Sequence, residues 1–405
     1  MGTRFRFLAG MVVPALLLGL SACNNSTSLS SSGTGAVFVA TQGDSSVSAY
    51  SIDLSTGLLT ANGGQVATGK VPSAMLLAPS GTALFVVNSN SAVPANSPAC
   101  TLPSPGTITV YTVNTEGTLT AVSGSSQAGV IPLAMAIDSA GHFLFVANQG
   151  LQCNPASGTI SVFSIQDKTL TEVPGSPFPS AATNAPSGTG PSGLAVTPDG
   201  KFLYVANQFD GTVTKFSVNA SGVLTQGPVV SVGTTPSAAT ITADGGVLYV
   251  ANASTISAFA ICNQVLTSCS DPTSPDGSLT QVAGSPFSAG IEPVAIVAAP
   301  SGKFLFVVNR QSNQISEYKI ATGTGALTPN TQATISTGAT PVGAAIRQGT
   351  TTITATGGIT DYLYVPNLGA FSISVYSFDS TVGTLGLVGG PVTTVGGQPS
   401  AVAAE

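Results

Sequence analysis

Pro198-Asp-Gly-Lys-Phe-Leu-Tyr-Val-Ala-Asn207 sets the reading of the whole chain, because its second half recurs along the sequence. Leu203-Tyr-Val-Ala-Asn207 returns as Leu84-Phe-Val-Val-Asn88, Leu144-Phe-Val-Ala-Asn148, Leu248-Tyr-Val-Ala-Asn252, Leu305-Phe-Val-Val-Asn309 and Leu363-Tyr-Val-Pro-Asn367. An earlier copy, Val37-Phe-Val-Ala-Thr41, has Thr where the others have Asn. A self-similar unit of about 40 to 60 residues marks a propeller or a solenoid.

Each copy is followed by a segment of the form [Val/Ile]-[Ser/Thr]-x-[Tyr/Phe]-x-apolar, at Val47 to Ile52, Ile108 to Val113, Ile160 to Ile165, Val213 to Val218, Ile256 to Ile261, Ile315 to Ile320 and Ile373 to Phe378. Strict alternation of this kind is a half-buried strand. A short Leu-Thr segment comes next, at Leu59, Leu119, Leu170, Leu224, Leu279 and Leu327, with Leu385-Gly386 as a degenerate seventh. It predicts a brief outer strand. A Pro followed by small and apolar residues opens the next unit, at Pro72, Pro132, Pro191, Pro236, Pro293, Pro341 and Pro399. Between this Pro and its Asn lies a glycine (Gly81, Gly141, Gly200, Gly245 or Gly302), the chemistry of a tight hairpin that needs positive φ. After Pro341 the Asn comes later, which predicts an insertion around Thr351 to Gly358.

Four strands per unit and seven units predict an all-β, seven-bladed β-propeller over residues 36–405. The first unit lacks a Pro-initiated strand and the chain ends with one, so Pro399-Ser-Ala-Val-Ala is expected to complete the first blade and close the ring. Composition agrees. With 47 Gly, 27 Pro, no Trp and 6% charged residues, an all-helical or coiled-coil protein is excluded, while 43% hydrophobic residues suffice for a core.

The Pro-Ser-x-apolar, Pro-Asp-Gly-Lys-Phe-Leu-Tyr-Val-Ala-Asn, Gly-Thr-Val-Thr and Gly-x-Leu-Thr succession resembles the lactonase-type seven-bladed propellers and the related Tyr-Val-Thr-Asn-like repeats. The resemblance covers nearly all of 36–405 and implies the fold. It further implies, as one function, hydrolysis of a lactone ester by a general base and a cationic group that stabilises the carbonyl oxygen.

The N-terminus reads as an address. Arg4 and Arg6 precede an apolar run from Leu8 to Leu20 that ends in Leu20-Ser-Ala-Cys23. A charged start, a short apolar stretch and small residues before a cut site make a secretory signal, too short to span a bilayer as a helix. The Leu-Ser-Ala-Cys ending resembles the bacterial lipobox, so residues 1–22 are expected to be a signal peptide and Cys23 a lipidated N-terminus. Each buried CH₂ of an acyl chain contributes about 0.8 kcal/mol, and several chains anchor stably. Residues 23–35 then form a polar tether with a reach of roughly 20 Å. The expected setting is an exported lipoprotein facing the periplasm or the cell surface.

Cys100, Cys153, Cys262 and Cys269 remain, and outside the cytoplasm they are expected to be oxidised. Cys100 and Cys153 lie in equivalent, unusually long connections of adjacent units, and Cys262 and Cys269 flank one local loop. These are the preferred disulfide pairs, among three connectivities. No metal-ligand cluster, phosphate-cradling glycine loop or cofactor motif accompanies them, so neither a metal nor a cofactor is expected.

Candidate site residues follow from sorting charges by the ends of the strands. His142, the single histidine, takes the hairpin-turn position held by Lys201 and Lys303 in sister units and is expected to be a solvated turn residue. At the opposite end, Glu292 precedes Pro293 and Arg310 follows Asn309 of the same unit. They are the candidate catalytic residues, a carboxylate to activate water and a guanidinium to polarise a carbonyl. Asp44, Lys70 and Asp210 map to the same face as a binding rim. The six recurring asparagines are expected to bond backbone groups where the chain turns.

Without Arg4 and Arg6 the net charge falls from −6 to about −8, which argues against a nucleic-acid partner. Three functional readings stand at this point. The first is a cell-envelope binding or scaffolding module that holds a small molecule, a glycan or an envelope protein on its loop face. The second is a lactone hydrolase, and the third a purely structural envelope component.

Overall fold

The computed structural model describes residues 35–90, 103–151, 153–154, 157–180, 190–263, 276–349 and 359–405. The expected signal peptide and lipidated Cys23, the expected insertion around Thr351 to Gly358, Cys100 and Cys269 lie outside these residues. Cys153 and Cys262 are disulfide-bonded. Among the described residues every regular element is a strand.

Seven antiparallel sheets each stack four strands outward from the axis. The second strand of each blade, such as Phe202–Asn207, has strands on both edges and blades on both faces. Its sequence is therefore a continuous apolar run rather than an alternating one. The third strands, such as Thr212–Val218, turn alternate residues to the two flanking blades. Gly81, Gly141, Gly200, Gly245 and Gly302 all adopt positive φ in the hairpins between the first two strands, with values from 68° to 74°.

The outer strands depart from the expectation of brevity. In blades 2, 4 and 6 they run long, as Leu119–Gln127, Leu224–Ser231 and Leu327–Ser336. In blades 1, 3, 5 and 7 the edge breaks into two short pieces pairing with the same third strand, for example Thr169–Glu172 and Phe178–Pro179. The break in blades 3 and 5 falls at Gly-Ser-Pro-Phe (Gly175 to Phe178, Gly284 to Phe287), where proline cannot donate to a ladder.

There is no single core. Seven apolar clusters lie between neighbouring blades, and each draws on two of them: Phe85 and Leu144 join blades 2 and 3, Leu305 and Tyr249 join blades 6 and 5. Buried tyrosines stitch the same seams. Tyr204 Oη donates to the Gly277 carbonyl at 2.7 Å, Tyr249 to Gly325 at 2.7 Å, and Tyr376 to Ser336 at 2.7 Å, each in the adjoining blade. A buried ring with its hydroxyl satisfied gives apolar area and direction at once.

The last seam is closed as expected. Pro399–Ala404 pairs with Gly35–Thr41, with Phe38 opposite Ala403 and Val39 opposite Val402. Ala401 and Ala403 pack into the cluster shared with blade 2, and Val402 into the one shared with blade 7. Closure leaves no free sheet edge at the join. The inner strands line a central channel of about 260 Å³. Around it, the hydroxyls of Ser73, Ser192 and Ser237 each donate to the proline carbonyl of the next blade, Pro132, Pro236 and Pro293, at 2.6 Å.

Candidate functional site

The channel opens on two faces. One carries the hairpins between first and second strands (turn face); the other carries the blade-to-blade connections and the second-to-third strand loops (loop face). The loop-face mouth is built by one repeated bond. The residue after the recurring Asn, or after Thr41 in blade 1, donates its backbone N–H to the carbonyl of the residue before the Pro. The bond runs from Gln42 to Gln398 (2.9 Å), Ser89 to Val71 (3.0 Å), Gln149 to Ile131 (2.9 Å), Gln208 to Gly190 (2.8 Å), Arg310 to Glu292 (2.8 Å) and Leu368 to Thr340 (2.8 Å). In blade 5 it slips by one residue, Ala253 to Thr234 at 3.0 Å.

The residue before the Pro has positive φ in Val71, Ile131, Gly190, Thr235, Glu292 and Thr340, from 47° to 59°. The left-handed backbone of Glu292 thus belongs to the framework and is not a mark of the site.

Under the rim, the Asn side chain holds two strands together. Asn309 Nδ2 donates to Ser316 Oγ at 2.9 Å, and its Oδ1 accepts from the Gly290 N–H at 3.1 Å. Asn148 does the same with Ser161 and Gly129, and Asn252 with Ser257 and Gly233. The asparagines are structural, as expected, but they bond hydroxyls of the third strand as much as backbone. The glycine lies three residues before each Pro, and a Cβ on Gly290 would sit 2.5 Å from the Asn309 amide carbon. This Gly-x-x-Pro spacing is legible in the sequence.

Of the seven rim pairs only Glu292 and Arg310 are charged, and the structure brings them together. Arg310 Nη2 contacts Glu292 Oε1, with side chains 42% and 44% exposed. An exposed pair of this kind contributes about 0 to 1 kcal/mol to stability, so its placement is not needed for the fold. Ser312, two residues on, carries a buried hydroxyl without a partner.

The other predicted rim residues share the face and stand in other blades. Asp44 takes over the Asn role in blade 1, where Thr41 replaces it. Its carboxylate accepts from Thr41 Oγ1 at 2.6 Å, Ser46 Oγ at 2.8 Å and Gln65 Nε2 at 2.5 Å. Partial burial pushes its pKa up, and these hydrogen bonds outweigh it, leaving the carboxyl below its ordinary value. Asp210 accepts from Thr212 Oγ1 at 2.7 Å, yet burial prevails and raises its pKa. Lys70 is exposed on the connection into blade 2 and forms no ion pair among the described residues. His142 stands on the turn face, 72% exposed, 3.7 Å from Asp138.

Three functional-looking groups escaped the sequence reading. Gln149 Nε2 donates to Gln208 Oε1 at 2.5 Å, linking the rims of blades 3 and 4. Lys215 and Glu317 occupy the same third-strand position, which Val or Ala fills in the other five blades; an alignment of the repeats would have exposed both. Glu317 is fully buried in the seam between blades 6 and 7. Its Oε2 accepts from the Leu385 N–H at 3.3 Å, its Oε1 has no partner, and burial pushes its pKa up to about 7. No cluster of metal-ligating side chains occurs among the described residues.

The lactonase seven-bladed β-propeller family model matches residues 104–170 and 153–268. Solved structures share the fold across the chain. A Pseudomonas aeruginosa periplasmic gluconolactonase is 20% identical, with 91% of this chain and 98% of that one covered and a TM-score of 0.67. A candidate 6-phosphogluconolactonase of Bacteroides uniformis is 18% identical, with 92% and 100% covered and a TM-score of 0.67. A Lactobacillus plantarum protein is 20% identical, with 92% and 99% covered and a TM-score of 0.68. No curated protein matches the sequence. Seven four-stranded blades, closed by the C-terminal strand around a channel, define the class as a β-propeller. Within it, the lactonase family model covers residues 104–268, and the whole fold is similar to that of the lactonase-type seven-bladed propellers.

Proposed function

We propose that the protein hydrolyses a lactone at the blade 6 rim. The observation that carries this reading is the symmetry break: six rim pairs are neutral and one is a carboxylate beside a guanidinium. The Glu292 carboxylate takes a proton from water as the oxygen attacks the lactone carbonyl carbon. Arg310 donates to the carbonyl oxygen as it gains negative charge. Collapse of the tetrahedral adduct breaks the ring C–O bond, and the proton held by Glu292 passes to the leaving alkoxide, giving the hydroxy acid. Lactone hydrolysis is preferred to the binding-platform reading because the likeness to lactonases and a charged pair at the channel mouth point the same way, whereas no described residue favours a macromolecular partner.

The test is pH-stat hydrolysis of a lactone panel by residues 24–405. Turnover abolished by both Glu292→Gln and Arg310→Ala is expected; an absence of turnover above buffer rejects the assignment. We further propose export and membrane anchoring through a lipid on Cys23. No described helix is long and apolar enough to cross a membrane. Cys23→Ala is expected to move the protein from the membrane fraction to the soluble one, and unchanged fractionation rejects the anchor.

A further inference from the structure

We infer that the ligand of this rim is an uncharged, polyhydroxylated ring and that the site discriminates against its phosphorylated form. This rests on the assignment of the Glu292–Arg310 rim as the site of lactone hydrolysis. The argument begins with where the cations are. Of the ten basic residues, Arg4 and Arg6 belong to the leader. Lys168, Lys201, Lys303, Lys319 and Arg347 lie at the turn-face ends of their blades, and Lys215 is buried, its Nζ donating to the Asp276 carbonyl. Only Arg310 and Lys70 remain for the loop face.

Arg310 already faces Glu292. Asp44 and Asp210 add two carboxylates against the single charge of Lys70, so the face carries a small excess of negative charge. The sequences of residues 91–102 and 181–189 contain no Lys or Arg either. A phosphate monoester brings about −1.5 to −2 charges at pH 7 and is held by charge-assisted bonds from uncommitted cations. This mouth has no cluster of them.

What the mouth offers instead is neutral and polar. The side chains of Gln42, Gln149, Gln208, Thr235 and Thr340 stand on rim positions of five blades. Amides and hydroxyls both donate and accept, as sugar hydroxyls do. One flat apolar surface accompanies them. Phe371, at the tip of the second-to-third strand turn of blade 7, is 45% exposed, and its ring lies 3.9 Å from the Cβ position of Gly397, beside the Gln398 rim of blade 1. Blade 7 joins the charged pair's own blade through the Thr340 N–H, which donates to Asn313 Oδ1 at 2.7 Å. A carbonyl held at Arg310, hydroxyls on the amide and hydroxyl rim, and a ring face on Phe371 describe a sugar lactone without a phosphate.

The experiment compares glucono-δ-lactone with its 6-phosphate at pH 7 and low ionic strength. We expect kcat/KM at least tenfold higher for the unphosphorylated lactone. Phe371→Ala should raise its KM several-fold with kcat unchanged. Gln311→Lys, which adds a cation on the exposed turn beside Arg310, should raise kcat/KM for the phosphate ester at least threefold and leave the neutral lactone within twofold. Equal or faster hydrolysis of the phosphate ester overturns the inference and leaves the hydrolase assignment intact. If neither is hydrolysed, the hydrolase assignment fails and calorimetric titration of the two lactones decides. Binding of the neutral lactone alone supports the inference; tighter binding of the phosphate ester, or no binding of either, overturns it.

Discussion

The two faces of the ring come from the same repeat and use charge in opposite ways. On the turn face charge is repeated and locally spent. Asp138, Asp199 and Asp244 accept backbone N–H groups within their own hairpins, and His142 and Lys201 lie 3.7 and 3.5 Å from the first two. On the loop face the seven hydrogen-bonded rim pairs are neutral in six blades and charged in one. A feature that recurs with the repeat serves the framework, whereas a feature present once, at a position where the framework does not need it, serves something else.

The comparison can be broken most severely by opening the ring. Deleting residues 399–405 exposes two inter-blade cores at once, and full burial of one large apolar side chain is worth about 1.5 to 3 kcal/mol. A melting temperature lower by more than about 10 °C is expected; an unchanged one would show that the faces do not depend on closure. The next effect tests the layer between the faces. Burial pushes the Glu317 carboxyl up to about 7 from its ordinary value of 4.5. Its ionisation therefore opposes folding, and this penalty grows as pH rises from about 4.5 to about 7 and is constant above. Glu317→Gln should remove that slope and stabilise the protein at pH 8 by on the order of 3 kcal/mol. Parallel denaturation curves at pH 4.5 and pH 8 would read it.

At the faces themselves, Arg310→Ala should lower kcat/KM for a lactone at least a hundredfold. Lys201→Ala and His142→Ala, on the other side, should stay within twofold. A comparable loss from the turn-face variants would erase the distinction. The smallest effect lies under the rim. Gly290→Ala forces a Cβ against Asn309 and should cost about 1 to 3 kcal/mol, while Gly64→Ala, with nothing within 4 Å, should stay within about 0.5 kcal/mol. Urea midpoints of the two variants separate them.

The blades were readable because the signals that make them are local and repeated: the apolar run into Asn, the alternating strand after it, the hairpin glycine. Glu292 and Arg310 were readable because each adjoins an anchor of that period, Pro293 or Asn309. Lys215 and Glu317 show only when the repeats are aligned, and other features had no period to reveal them. Asp44 reads as one more loop charge, and only the packing of Thr41, Ser46 and Gln65 around it shows a carboxylate standing in for an asparagine. Gln149 and Gln208 meet because two blades are wedged side by side, and nothing in either segment announces the other. The split outer strands arise where Gly-Ser-Pro interrupts a ladder whose flanks still look like strand.

Closure by Pro399–Ala404 also sets a clock. The partner of Phe38 is Ala403, almost the whole chain away. At about 5 to 20 residues per second, it leaves the ribosome roughly 20 to 70 s after Phe38 does. For that interval the first strand waits with a bare edge, and the circle closes only after residue 404 has been made.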